Sequence, residues 1–299
     1  MTALAAAMSP ARQGLLVMLL AMFLFSLNDA MGKWLVATYS VGQVLLLRSA
    51  AALAILLPFL RPAGAASVRA VQRPWLQFGR VALSTAETFC FYWAVRFLPL
   101  ADVMTYWLAA PIYVAALSPL LLGERVGRFR WAAIAAGFLG VLVALAPAGA
   151  ADGRAILVAV LGTLAFALMV VTGRMLRGTP DRMLVLFQIL GAALAGLLLA
   201  PFGWVTPSLR DLLLLGMLGA VAMLAHLCVN RAVKLADAAV VAPLQYTLLP
   251  WAAVLGWTFF GDLPRPPTVL GAAVIIASGL AIYLRENRVK SLAGTGETS

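Results

Sequence analysis

Two seven-residue stretches decide the fold: Arg96-Phe-Leu-Pro-Leu-Ala-Asp102 and Arg231-Ala-Val-Lys-Leu-Ala-Asp237. Leu and Ala abound in this chain, so the information lies in an Arg and an Asp at the same spacing. Gly123-Glu124 follows the first stretch and Gly261-Asp262 the second, each at the mouth of a short loop into a Gly-containing last helix. A weaker correspondence sets Lys33 and Arg48 against Arg174 and Gln188. The chain reads as a duplication.

What is duplicated follows from composition. Of 299 residues 64% are hydrophobic and 11% charged, whereas soluble domains hold about half apolar and about a quarter charged residues. A bilayer core takes about 20 apolar residues per helix. Ten such stretches are present: Gln13 to Ala37, Val41 to Leu60, Trp75 to Arg96, Ala101 to Leu122, Arg130 to Leu145, Arg154 to Met175, Met183 to Phe202, Leu209 to Val233, Ala238 to Phe260 and Pro267 to Leu284. The expected fold is an all-α integral membrane protein of ten transmembrane helices. Its repeats cover residues 13–146 and 153–285, and residues 286–299 form a cytoplasmic tail. Five spans per half is an odd number, so the second half enters the membrane from the opposite side. Such inverted repeats are common in secondary carriers, whose solute site lies near the midplane between halves.

Composition also excludes functions. One His and two Cys cannot build a multi-histidine or Cys₄ metal centre, and neither a metal nor a cofactor is expected. A net charge of +11 would suggest nucleic acid in a soluble chain. Here the cations follow topology. With a cytoplasmic N-terminus, fifteen of the 22 fall in alternate, inward connections and four, Arg96, Arg154, Arg210 and Arg265, in outward ones. This is the positive-inside pattern, which also favours anionic lipids; nucleic acid is not an expected partner. Arg12 before an apolar run imitates a signal peptide. The run, however, continues past Ala30 and carries Asn28, Asp29 and Lys33, as a retained first span would. The expected setting is the bacterial inner membrane, with both termini cytoplasmic and the chain a monomer or homodimer.

In the order and spacing of these features the chain resembles the EamA-type carriers of the drug/metabolite transporter superfamily. The resemblance runs from Asn28, Asp29, Lys33 and Trp34 through Arg48, Leu98 to Asp102, Pro111 and Gly123-Glu124-Arg125, to Ala239 to Tyr246 and Gly261-Asp262. It implies a ten-helix carrier of small metabolites, commonly an exporter. The Asn28, Asp29, Lys33 start is similar to the branch of riboflavin and S-adenosylmethionine carriers, which implies an importer as the alternative. The acid Asp262 stands where Glu is usual.

Charges within spans need a partner or a water-filled cavity, because a charge at the bilayer centre costs about 2.5 to 3.5 kcal/mol. Asp29 and Arg48 lie roughly 10 to 12 Å below the outer surface on consecutive helices, a geometry that predicts a structural ion pair. Lys33, one turn from Asp29, is close enough to the surface to snorkel. In the other reading, Asp29 or Lys33 faces a cavity and binds solute. Glu87 falls near the midplane with Tyr92, also a binding candidate, further along its helix. Glu87 reads either as a proton-coupling site or as a carboxyl bonded to another helix. His226 reads as a packing residue or a proton relay. Cys90 and Cys228 read as packing residues.

Pro111, Pro243 and Pro250 interrupt the fourth and ninth spans and free backbone carbonyls. Around them stand Tyr106, Trp107, Tyr113, Gln245, Tyr246 and Trp251. They form either the lining of a largely apolar pocket or, in part, interfacial anchors. Gly137 with Gly140 and Gly216 with Gly219 predict close helix contacts. No phosphate-cradling Gly-rich run ending in Gly-Lys-Ser/Thr is present. Ser278-Gly279 lacks the neighbours of an intramembrane protease nucleophile, since position 276 is Ile. A secondary carrier is therefore expected rather than an enzyme, with a channel as the competing class.

Overall fold

The structure, a computed structural model, describes residues 10–60, 73–123, 127–144, 153–176, 179, 181–235 and 242–295. Most of these residues are helical. The helices are α1 (Pro10–Thr38), α2 (Val41–Leu60), α3 (Pro74–Phe97), α4 (Leu100–Leu108), α5 (Ala110–Leu122), α6 (Arg128–Ala144), α7 (Gly153–Met175), α8 (Asp181–Leu199), α9 (Leu209–Leu235), α10 (Leu248–Phe260) and α11 (Pro266–Thr295). A 3₁₀ turn, Ala242–Thr247, precedes α10. Asp237 and Glu124, half of the repeated acids, lie outside the described residues, as does the end of the expected tail.

Among the described residues five helical stretches are long and apolar enough to cross a membrane: Arg12–Thr38, Leu100–Leu122, Gly153–Gly173, Leu209–Val229 and Pro266–Arg285. Val41–Leu56, Trp131–Ala144 and Met183–Leu199 are apolar but shorter. The remaining two expected spans fall short for visible reasons. Gln77, Arg80, Glu87 and Arg96 dilute the apolar character of α3, and the ninth span starts as a 3₁₀ turn that leaves α10 only 13 residues. Large apolar side chains such as Leu16, Leu139, Leu161, Leu194 and Leu213 point outward and are exposed. A surface of this kind fits lipid.

Two of the three prolines act where expected, whereas Pro250 lies in the first turn of α10 and breaks nothing. Pro111 opens α5 after a turn at Ala109, whose N–H bonds back to Tyr106, so the fourth span is broken into α4 and α5. Pro243 lies in the 3₁₀ turn that opens the ninth. Both α5 and α10 are 13 residues long, and both end on a glycine at φ 69°, Gly123 and Gly261. That left-handed conformation is the usual helix stop and carries almost no penalty only for glycine. The repeated Gly thus has a backbone cause.

The packing obeys the duplication. Helix α1 packs on α9 as α7 packs on α3, α2 packs on α9 as α8 packs on α3, and α1 meets α10 as α7 meets α5. The α2–α8 and α6–α11 contacts map onto themselves. Exchanging the halves reproduces these contacts. The halves therefore interleave rather than sit side by side, and consecutive helices such as α1 and α2 touch only briefly.

Glycines set the self-mapping contacts. A Cβ at Gly42 would stand 2.6 Å from the Leu199 Cβ and 2.8 Å from the Ala200 nitrogen, and Gly196 faces the Leu46 backbone. Gly140 and Gly271 face each other's carbonyls. Of the expected close contacts, Gly137 accommodates the Ile112 side chain and Gly219 meets the Arg48 carbonyl, whereas Gly216 has only Ala51, at 3.9 Å. Gly216 is thus not a tight contact.

Candidate functional site

Helices α2 and α3 of the first half and α8 and α9 of the second line a partly open cavity of ≈ 110 Å³. Arg48, Ser49, Thr88, Gln188 and His226 supply its polar groups, and Leu45, Val185, Ile189 and Met223 its apolar walls. Arg48 and Gln188 are one of the corresponding pairs of the duplication, and both face this space. It lies where the two halves meet.

Arg48 is the only ionised side chain in that lining. Its guanidinium donates to the Tyr92 hydroxyl and sits 5.2 Å from that ring's centroid. Tyr92 is fully buried, and its ring lies against Gly32 of α1, where any side chain would collide with it. The ion pair expected between Asp29 and Arg48 is not formed. Because α1 packs on α9 and α2 on α8, the two helices diverge, and Tyr92 from α3 occupies the gap. Asp29 accepts instead from the Asn28 amide at 3.1 Å. It remains, with Glu87 and His226, within electrostatic range of Arg48.

Lys33 neither snorkels to the surface nor turns to Asp29. Its Nζ donates to Asp262 Oδ2 at 2.5 Å and to the Leu98 carbonyl at 3.0 Å, above the Phe260 ring. The other repeated acid behaves reciprocally: Asp102 Oδ2 accepts from Arg265 Nε at 2.7 Å, and Arg265 also reaches the Ala144 carbonyl at 3.4 Å. Each half thus supplies a carboxylate to a cation of the other, at one end of the bundle. At the same end the buried Gln43 side chain makes two bonds to the Val205 backbone, at 2.6 and 3.1 Å. The Tyr39 hydroxyl there donates to Asp211 at 2.7 Å, an acceptor that pushes the phenol above its ordinary pKa. Several polar contacts therefore join the halves where Arg96 and Arg154 also lie.

Glu87 is held from two sides, by the Trp107 indole N–H at 2.8 Å and the Thr88 hydroxyl at 3.0 Å. Trp107 stacks edge-on against Phe91 and fits over Gly162. Thr88 lines the cavity, so Glu87 is one hydrogen bond away from it. His226 faces the cavity and packs edge-on against Phe25.

The aromatic set around the prolines does not line this cavity. Tyr106 is buried beside the Asp102–Arg265 pair. Tyr113 meets Phe138, Tyr246 lies on Gly279, and Trp251 packs on Phe23 while Gln245 is exposed. Periodicity could not show this, because the fourth span is broken between α4 and α5 and a 3₁₀ turn precedes α10, so no single helical period runs through either span. Sequence reading missed Gln188 and Ser49 as cavity groups and Arg265 as the partner of Asp102. The Arg48/Gln188 correspondence carried the first signal.

Comparison with known proteins fits this geometry. The family description "EamA-like transporter family" matches residues 12–146 and 153–284. A riboflavin transporter of Rhizobium johnstonii is 31% identical over 96% of both chains. The pseudopaline exporter CntI of Pseudomonas aeruginosa is 28% identical, covering 91% of this chain and 96% of its own. An S-adenosylmethionine uptake transporter of Rickettsia prowazekii is 26% identical, covering 93% and 95%. A solved crystal structure superposes with a TM-score of 0.61 at 19% identity, covering 94% of this chain and 98% of the other, which supports the fold. With both halves matched and their contacts exchanging as a duplication requires, the chain is a multi-pass membrane protein that belongs to the EamA-like transporter family.

Proposed function

We propose that the protein is a secondary carrier of a small heteroaromatic metabolite presenting carbonyl or carboxylate oxygens, with riboflavin as the first solute to test. The observation that carries this reading is the cavity between the halves, where Arg48, Gln188, Ser49, Thr88 and His226 face apolar walls. Flat apolar surface with a few placed polar groups suits a heteroaromatic ring. A lining whose only ionised group is cationic disfavours a sulfonium and favours oxygen acceptors. The similarity to riboflavin transporters points the same way.

A cavity of ≈ 110 Å³ is smaller than the roughly 300–1,000 Å³ of sites that enclose a drug-sized ligand. Transport therefore requires the helices to part. In our reading the end bearing Lys33–Asp262 and Asp102–Arg265 is outward and closed in this conformation, and the basic end faces the cytoplasm. Because the halves interleave, the moving bodies combine helices of both halves. Asp29 and Glu87, near Arg48 but outside the lining, are placed to balance its charge, and Glu87 is the candidate for proton coupling.

The test is riboflavin flux into proteoliposomes of the purified protein, with S-adenosylmethionine as the comparison solute. Saturable flux and counterflow of riboflavin, lost in Arg48→Gln, are expected. Saturable flux of S-adenosylmethionine without riboflavin flux would overturn the solute, and flux that never saturates would overturn the carrier.

A further inference from the structure

One face of α3 is polar along most of its length. Gln77, Arg80, Ser84 and Thr88 follow one another at three- and four-residue steps, which places them in a single line on the helix. The line runs from the basic end, where α3 starts at Pro74, to the cavity, where Thr88 is part of the wall. Arg80 stands about 9 Å and Ser84 about 15 Å along the axis from that start.

These groups are buried and mostly without partners. Gln77 is 4%, Arg80 9% and Ser84 1% exposed. Among the described residues, both polar atoms of the Gln77 amide, Arg80 Nε, Ser84 Oγ and the neighbouring Thr85 Oγ1 have no hydrogen-bond partner. Among the described residues the Arg80 guanidinium has a single bond, 3.4 Å to the Leu184 carbonyl, and no carboxylate within 4.0 Å. The facing helices are α7 and α8 of the other half, and glycines of both meet this stretch of α3. Gly173 lies opposite Arg80, and Gly191 opposite Val81 and Thr85. An arginine left uncompensated at a helix interface is costly. Lys33 and Arg265, by contrast, each have a carboxylate, and Arg48 has the Tyr92 hydroxyl.

From this we infer that Gln77, Arg80 and Ser84 form a second binding station, between the cavity and the cytoplasmic side, for an anionic or oxygen-rich group of the transported solute. In the conformation seen here the station is closed between α3, α7 and α8. When those helices part, the guanidinium, amide and hydroxyl receive the group as it leaves the donors of Arg48 and Gln188. The inference rests on the carrier reading of the cavity but not on the identity of the solute.

The test uses thiol chemistry, so it does not depend on a solute. In the full chain with Cys90→Ala and Cys228→Ala, Ser84→Cys is exposed in membrane vesicles of either orientation to an anionic sulfonatoethyl or a cationic trimethylammonioethyl methanethiosulfonate. Rates are normalised to those of a free thiol, and Arg128→Cys, exposed at the basic end, marks the side. Ser84→Cys is expected to react only from the side marked by Arg128→Cys, about tenfold faster with the anionic reagent. That preference is lost on adding Arg80→Gln and kept with Arg80→Lys. No reaction from either side, reaction from the opposite side, or a charge preference that survives Arg80→Gln overturns the station. Should Arg80→Gln fail to insert, Arg80→Lys and Ser84→Cys alone still decide access and preference. Loss of riboflavin flux in an otherwise reactive protein would overturn the solute and leave the station standing.

Discussion

Lys33 and Asp262 meet at 2.5 Å across the boundary between the two halves, and the lysine's remaining bond goes to the carbonyl that ends α3. One ammonium thus ties together α1, the end of α3 and the loop after α10. The pair is largely shielded, with side-chain exposures of 13% and 30%. Removing one partner of a fully buried pair costs about 3–5 kcal/mol; at this exposure about 1–3 kcal/mol is expected. Lys33→Met and Asp262→Asn should each lower the thermal midpoint in detergent, and the exchange Lys33→Asp with Asp262→Lys should recover most of it. If the outward end must open during transport, Lys33→Cys with Asp262→Cys should stop flux on oxidation and regain it on reduction. Full flux in the oxidised, cross-linked protein would show that this end does not open there.

Helix α9 offers a paired test of packing, because Gly216 and Gly219 lie one turn apart on it. At Gly219 a methyl group meets the Arg48 carbonyl and the Ala52 nitrogen, backbone atoms that cannot swing aside. Gly219→Ala should therefore destabilise the protein by about 1–3 kcal/mol, the usual cost of overpacking. At Gly216 the methyl finds only Ala51, at an ordinary 3.9 Å, and Gly216→Ala should be neutral or stabilise by up to about 1 kcal/mol through helix propensity. Thermal unfolding of the two variants checks the ordering. Equal losses would mean that helix packing here is not set by Gly219.

The contrast between those glycines marks the limit of what the sequence carried. Composition and the paired Arg/Asp and Gly/acid signals were sufficient for ten spans in two halves, since each is a one-dimensional property of length, apolarity and spacing. The helix breaks at Pro111 and in Ala242–Thr247 were legible for the same reason. Partners were not legible. Lys33 is 229 positions from Asp262, and Asp102 is 163 from Arg265; nothing local distinguishes these pairings from Asp29 with Arg48. Adjacency along the chain suggested that α1 and α2 share a seam, but in an interleaved duplication the neighbours of a helix come from the other half. The repeat itself held the missing hint, because positions that correspond, such as Arg48 and Gln188, converge on the axis between halves.

Glu87 separates charge from hydrogen bonding cleanly. Its Oε1 accepts from Trp107 at 2.8 Å, and a glutamine carbonyl keeps that bond while removing the ionisable group; the Thr88 hydroxyl, also 2.9 Å from the Ser84 carbonyl, can donate there and accept from the new amide. Glu87→Gln should therefore keep the thermal midpoint within about 0.5 kcal/mol equivalent, as for a replacement whose hydrogen bond is preserved. If Glu87 carries the coupled proton, an imposed pH gradient should no longer drive uphill flux in this variant, while exchange without a gradient continues. Uphill flux that persists in Glu87→Gln assigns the proton elsewhere, with His226 next in line at the cavity wall.

Arg48 is the residue on which the solute reading depends most, and its two roles make opposite predictions for two substitutions. If its work is to hold Tyr92, then Tyr92→Phe, which deletes the hydroxyl acceptor but keeps the ring against Gly32, should impair transport as severely as Arg48→Gln. If its work is to receive solute oxygens, Tyr92→Phe should leave affinity within a few-fold. Arg48→Gln should then cost the bond to a charged donor, about 1.5–3 kcal/mol, which is a loss of roughly 10- to 150-fold in apparent affinity. Arg48→Lys should fall between, since an ammonium keeps the charge but not the planar fork of donors. The second pattern is expected, because the guanidinium lines the open cavity whereas the Tyr92 ring is fixed independently by burial. Riboflavin titrations of the three variants, read by flavin fluorescence in detergent and by the KM of flux in vesicles, distinguish the two. An Arg48→Gln protein that binds riboflavin as tightly as the natural chain would remove Arg48, and with it this cavity, from the solute path.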